Sequence, residues 1–127
     1  MSFELLSVDI VNRQVSPGSE AQADITWHNQ SDAIFRSYLR WDLRRTGLWA
    51  TWIEGPWVYI GAYPRQTVTT RVGCVVPPDW PNGMPVDAKL MLQGVEGAIW
   101  SGEDVYTTGM EAIYDFRIGQ PSVRAAG

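Results

Sequence analysis

Residues 21–27 read AQADITW, and the alternation in this stretch decides the fold. Ala21, Ala23, Ile25 and Trp27 fall on one side of an extended chain, and Gln22, Asp24 and Thr26 on the other. A period of two puts successive side chains on opposite faces, so the stretch is a strand with one face toward a core. Both flanks carry turn chemistry. VSPGSE (15–20) precedes it, where Pro17 presets one backbone torsion and Gly18 accepts a positive one. HNQSD (28–32) follows and supplies the next turn.

The same pattern recurs outward in both directions. FELLSVDIVN (3–12) reads as a first strand. In IFRSYLRWDLRR (34–45), Phe35, Leu39, Trp41 and Leu43 face one way, and Arg36, Tyr38, Arg40 and Asp42 the other. A helical stripe through 35, 39, 42 and 43 competes, but the aromatic content and the neighbouring strands favour an extended reading. LWATWIE and WVYIGAY form two short strands parted by Gly55-Pro56, a hairpin-like unit. RQTVTTRVGCVV (65–76) aligns Val68, Thr70, Val72 and Cys74. PPDWPNGMP (77–85) is too rich in proline for a ladder or a helix interior. VDAKLMLQGV (86–95) turns Val86, Ala88, Leu90 and Leu92 inward. Residues 96–109 read as a loop with a short extended piece at Ile99-Trp100, and MEAIYDFRIG (110–119) as a last strand. Seven or eight strands at this spacing, with no convincing helix, predict an antiparallel sandwich, with a barrel as second choice. Residues 1–119 are expected to form one domain, and 120–127 a flexible C-terminal tail.

Composition excludes several functions. A net charge of −4 argues against nucleic acid, whose binders present a basic face. Cys74, the one cysteine, rules out an intrachain disulfide, and its apolar setting reads as a buried thiol. His28, the one histidine, would have to meet Cys74 for His–Cys chemistry, and no nucleophile elbow is present. One Cys and one His cannot make a four-ligand zinc site. Glu96, Glu103 and Asp104, with Asp79, are the acidic residues closest to a calcium set, but their spacing is that of a solvated loop. No phosphate-cradling or dinucleotide fingerprint appears. The chain is therefore expected to be no enzyme and to take no cofactor. It shows no secretory leader pattern and no 18-residue apolar run, which predicts cytoplasmic synthesis without membrane insertion.

What remains is RRTGLWATWIEGPWVYIGAYP (44–64), dense in aromatic residues. Parity puts Trp57, Tyr59 and Tyr63 on one face, against Val58 and Ile60 on the other. Trp49 and Trp52 have opposite parity and cannot share a face in one unbroken strand. Arg36, Arg40 and Arg44 align on one face of their strand with Asp42 among them, either a solvated face or a site for an anionic partner. The rings serve either as core, as a protein contact, or as a platform for sugar rings. Trp49, Trp52, Trp57, Tyr59, Tyr63, Arg36, Arg40 and Arg44 together make the candidate contact surface.

The segment VSPGSEAQADITWHNQSD (15–32) resembles the opening of bacterial immunoglobulin-like sandwich domains of the CARDB-like type. There a Pro-Gly turn leads into an alternating strand that ends in an Asn-bearing turn, and Pro17, Gly18 and Asn29 occupy those positions here. VVPPDWPNGMPVDAKLMLQ (75–93) resembles the connection into a penultimate strand of the same domains. Trp41 stands where many such sandwiches keep a core tryptophan, although the paired cysteines of antibody domains are absent and the Trp-rich stretch departs from the pattern. The resemblance implies an all-β, antiparallel immunoglobulin-like β-sandwich. It also implies a non-catalytic structural role, such as a virion component for capsid decoration or a tail accessory. Such a module works through protein partners in a larger assembly or as a homo-oligomer, with carbohydrate binding and adhesion as the alternative.

Overall fold

The computed structural model describes residues 2–11, 14–45, 51–81, 85–101 and 116–118. Ten extended segments run in chain order: β1 (Phe3–Ile10), β2 (Gln14–Val15), β3 (Glu20–Asn29), β4 (Phe35–Arg45), β5 (Ile53–Glu54), β6 (Val58–Ala62), β7 (Thr67–Val75), β8 (Pro85–Leu92), β9 (Trp100–Ser101) and β10 (Phe116–Ile118). Four of them are only two or three residues long, and no helix occurs among the described residues. The expected final strand survives in part as β10; Met110 to Asp115 and the tail lie outside the described residues.

Two sheets result. The smaller has the order β1-β3-β7. The larger runs β2-β10-β8-β4-β5, with β6 also on β4 and β9 also on β8. All pairings are antiparallel except β2 with β10, which is parallel and corrects the expectation of a wholly antiparallel arrangement. A second correction concerns the first strand. Rather than one run over 3–12, the chain leaves the smaller sheet after Ile10 and joins the larger one at Gln14. The turn that then returns the chain from β2 to β3 is tied by Gly18, at φ 89°, whose N–H donates to the Val76 carbonyl at 2.8 Å.

The sheets face each other across one core drawn from both. Ala21, Ala23, Ile25 and Trp27 of β3 are all buried, as are Leu39, Trp41 and Leu43 of β4 and Val86, Ala88, Leu90 and Leu92 of β8. Trp27 stacks on Phe3 of its own sheet at 5.0 Å and meets Phe35 of the other edge-on at 6.0 Å, so its ring joins the layers. Its Nε1 donates to Thr70 Oγ1 at 3.2 Å, which leaves its one polar atom satisfied in the interior. Trp41 stacks on Trp100 of β9 at 5.4 Å and 19°, placing a residue of the expected loop against the core. Trp80, between its prolines, also packs against this core.

Two bulges interrupt the alternation. In β1 the register slips between Leu5 and Ser7, which turns Leu6 to solvent while Leu5 and Val8 both keep to the inner side. The other bulge bears on the site.

Candidate functional site

The outer face of the larger sheet is built on β4. Its even-numbered residues Arg36, Tyr38, Arg40, Asp42 and Arg44 point away from the core side held by Leu39, Trp41 and Leu43. β8 lies along one side, with Met91 opposite Arg40, Lys89 opposite Asp42 and Asp87 opposite Arg44. The other side is lined by residues 53–62, and these are not a hairpin. β5 and β6 both run antiparallel to the same strand, β4, as one interrupted edge.

The interruption explains the rings. Glu54 pairs with Asp42, but Val58 pairs with Leu39, so three residues of the edge (Gly55, Pro56, Trp57) stand against two of β4. One extra residue reverses the phase of everything beyond it. Trp52 and Trp57 are five apart, an odd number, and would lie on opposite faces of an unbroken strand. The bulge brings them to the same one. The Trp52 ring covers Arg44 at 4.5 Å and Lys89 at 4.3 Å, and the Trp57 ring covers Arg40 at 4.6 Å. Cation–π contacts of this kind contribute about 0.5–2 kcal/mol each, the more so when water is excluded.

Beneath these rings lies an ion cluster that corrects the picture of a solvated arginine face. Asp42 is fully buried, with 0% exposure. Arg40 grips it with a fork, Nε to Oδ1 and Nη2 to Oδ2, both at 2.9 Å, and reaches Glu54 at 3.2 Å. The hydrogen bond to Asp42 holds the Arg40 guanidinium above its ordinary value. Gly55 N–H donates to Asp42 Oδ1 at 3.3 Å and to the Trp41 carbonyl at 3.1 Å, so the same carboxylate pins the bulge. Arg44 meets Asp87 at 3.4 Å.

Beyond the bulge, Tyr59 and Tyr63 stand outward with Gly61 between them, and Tyr38 meets Tyr59 at 5.4 Å with the ring planes 65° apart. Trp57, Tyr59 and Tyr63 are exposed by 42%, 57% and 68%, while Ile60 and Ala62 on the opposite side are buried, as parity predicts. Ile34 and Tyr38 complete an exposed apolar group on this face. An open groove of about 240 Å³ lies at this end, lined by Ile34, Arg36, Tyr59, Gly61, Tyr63 and Gln66 among others.

The groove is organised from below by Asn29, which sequence reasoning read only as part of a turn. It is fully buried at the end of β3. Its Nδ2 donates to the carbonyls of Ala33 at 2.8 Å, Tyr63 at 3.1 Å and Ala62 at 3.2 Å. Its Oδ1 accepts from Ser31 N–H and Ser31 Oγ at 3.1 and 2.7 Å. One side chain thus ties the turn after β3 to the turn after β6. A buried Asn beside a turn, followed by Ser at two residues, was the signal available in the sequence.

Seven of the eight contact residues chosen from the sequence therefore share this face: Arg36, Arg40, Arg44, Trp52, Trp57, Tyr59 and Tyr63. Trp49 lies outside the described residues, as do Glu103 and Asp104. Among the described residues no three His, Cys, Asp or Glu side chains gather as metal ligands. His28 is a strand residue rather than a turn residue; it bonds Thr67 Oγ1 at 2.9 Å on the outer face of the smaller sheet. Cys74 pairs with Ala21 on the inner face, so the two do not meet. Burial pushes the Cys74 thiol up to about 12, with the nearby Asp42 charge adding to the effect. Only the thiolate reacts, so Cys74 is expected to resist iodoacetamide at pH 8 in the folded protein and to alkylate fully in denaturant, as mass spectrometry would show. Rapid native labelling would contradict the burial.

The centre of that smaller-sheet face is polar, with Leu6 and Val75 exposed on its outer strands: Thr26 bonds Thr69 at 3.0 Å, and Arg71 forks onto Asp24 at 2.8 and 3.0 Å, holding that carboxyl below its ordinary range. The aromatic face belongs to the larger sheet alone among the described residues.

No protein-family model and no curated protein sequence matches this chain. Solved structures do match. A β-glucosidase from Listeria innocua is similar over 95% of this chain at 9% identity and a TM-score of 0.63, and a cycloisomaltooligosaccharide glucanotransferase from Paenibacillus sp. over 94% at 12% and 0.58. An alkylpurine DNA glycosylase from Pseudomonas fluorescens is similar over 94% at 9% identity and 0.53. The chain spans 16%, 14% and 31% of the length of these proteins, respectively. At such identities the likeness is one of fold. No described helix is long and apolar enough to cross a membrane.

Proposed function

We propose that this protein is a non-catalytic interaction module that docks onto a protein partner in a larger assembly through the outer face of its larger sheet. The carrying observation is the exposed row of Trp57, Tyr59 and Tyr63, with Tyr38 and Ile34, on that face, which holds all the exposed aromatic rings among the described residues. Large aromatic side chains are enriched where proteins meet, and a fixed base of ion pairs spares the partner the cost of ordering them. An immunoglobulin-like reading of the sandwich is favoured by the early passage of the chain from one sheet to the other and by the parallel β2–β10 pair. The CARDB-like resemblance adds virion decoration as a setting.

Carbohydrate is the alternative occupant. A sugar platform asks for two or three exposed rings in one plane, whereas Tyr38 and Tyr59 meet at 65°. That geometry favours a side-chain surface over a pyranose ring.

Site-specific photo-crosslinking in the cells that make the protein tests the proposal. A crosslinking amino acid in place of Tyr59 is expected to yield discrete heavier bands, while one in place of Thr69, on the polar face, yields none. Equal labelling from both positions, or none from either, would overturn the reading. Tryptophan quenching by a glycan, lost in Trp57→Ala, would replace it with the carbohydrate reading.

A further inference from the structure

We infer that the groove between Tyr59 and Tyr63 receives an acidic side chain of the protein partner, with Arg36 as its counter-ion. The inference rests on the contact reading above and names the chemistry of the partner. Three arginines rise from the outer face of β4, and two are already committed. Arg40 holds Asp42 and Glu54 and carries Trp57; Arg44 holds Asp87 and carries Trp52. Arg36 is exposed and has no carboxylate partner among the described residues.

Its place on the sheet is what makes it available. The residue across from Arg36 on β6 is Gly61, so no side chain covers the position where its neighbours carry rings. A methyl group at Gly61 would touch the Arg36 stem at 3.7 Å and the Tyr59 hydroxyl at 4.0 Å. The absence of that group leaves the groove floor open between two tyrosine walls. The polar atoms around it are weighted toward donors. Arg36 offers five N–H bonds in a planar fork, matched to the two oxygens of a carboxylate. Gln66 has its Oε1 engaged by the Tyr63 N–H at 2.9 Å, which leaves its amide N–H pair to donate. Charge on this face runs the same way, with Arg36, Arg40, Arg44 and Lys89 set against Asp42, Glu54 and Asp87. The occupant that fits is an Asp or Glu flanked by apolar residues, its carboxylate on Arg36 and its neighbours on the tyrosine rings.

The test is a displayed random-peptide library selected on the intact protein, with the strongest binders resynthesised. Enriched peptides are expected to place Asp or Glu beside an aromatic or aliphatic residue. Their affinity should fall at least tenfold in Arg36→Glu and recover when the peptide acid is changed to Lys, a swap that a folding defect could not produce. Binders that depend on Tyr59 and Tyr63 but carry no acid and ignore Arg36 would overturn this inference and leave the contact surface standing. Acidic binders with unchanged affinity for Arg36→Glu would overturn it as well. A library with no binder sensitive to Tyr59→Ser or Tyr63→Ser would remove both readings.

Discussion

Gly55→Ala is expected to destabilise the protein by about 3 kcal/mol or more, lowering its melting temperature by about 10 °C or more. A Cβ there would lie 2.4 Å from the Trp41 carbonyl oxygen and 2.5 Å from that of Gly73, with the Cys74 Cβ at 3.3 Å. The two oxygens are backbone atoms, one from each sheet, and neither can swing aside as a side chain would. Gly55 is therefore required for close approach, at the point where the interrupted edge strand closes against both layers. Cys74 Sγ, lying 3.5 Å from the Ile53 carbonyl, marks the same seam. Gly61→Ala, on the same edge, provides the control: its nearest contacts are at ordinary separations, and a change within about 1 kcal/mol is expected. Thermal melts of both variants decide it. A Gly55→Ala protein that melts within a degree or two of the parent would show that the two sheets have room to part here.

Asp42→Ala is expected to cost about 3–5 kcal/mol, since it strands a guanidinium that has only 14% exposure and an exposed carboxylate left to meet. The change also removes the acceptor that helps hold Gly55 N–H, so the bulge should loosen and the two indole rings lose their seats. The sharper readout is a double-mutant cycle with Arg40→Met, followed by denaturant unfolding. Removing both charges should recover at least about 2 kcal/mol of the single-variant loss, because the penalty lies mostly in the unpaired charge. Strict additivity would show that the pair contributes little and that the cluster is held by the rings above it.

The fold was legible where alternation ran unbroken. Ala21 to Trp27, Leu39 to Leu43 and Val86 to Leu92 announce their buried faces one residue in two, because a two-sided strand imposes that period on the chain itself. The candidate contact face was legible strand by strand, with Arg36, Arg40 and Arg44 grouped by parity on one strand and Trp57, Tyr59 and Tyr63 on another, while their common face came only with the pairing of β4 and β6. Three features were not. Gly55-Pro56 is a turn signal by composition, and nothing local distinguishes a hairpin from an extra residue in an edge strand. The shared face of Trp52 and Trp57 follows from that extra residue, which no parity count within either short strand could supply. Asp42 alternates with arginines as a solvent residue would; its burial depends on rings and a partner strand that approach from elsewhere in the sequence. Asn29 likewise shows its role only once two turns distant in the chain, after β3 and after β6, come to the same end of the sandwich.

The Asn29 tether has a thermodynamic consequence for recognition. Because its five hydrogen bonds hold the backbone at Ala62 and Tyr63 and the turn through Ser31 and Ala33, the Tyr63 wall of the groove starts from a shape already set before any encounter. Docking of the proposed partner would then forfeit little chain freedom, and its calorimetric signature should be dominated by a negative heat-capacity change from dehydrated rings, with a small ordering penalty. Loosening the tether would leave every contacting side chain in place and still weaken binding through entropy alone.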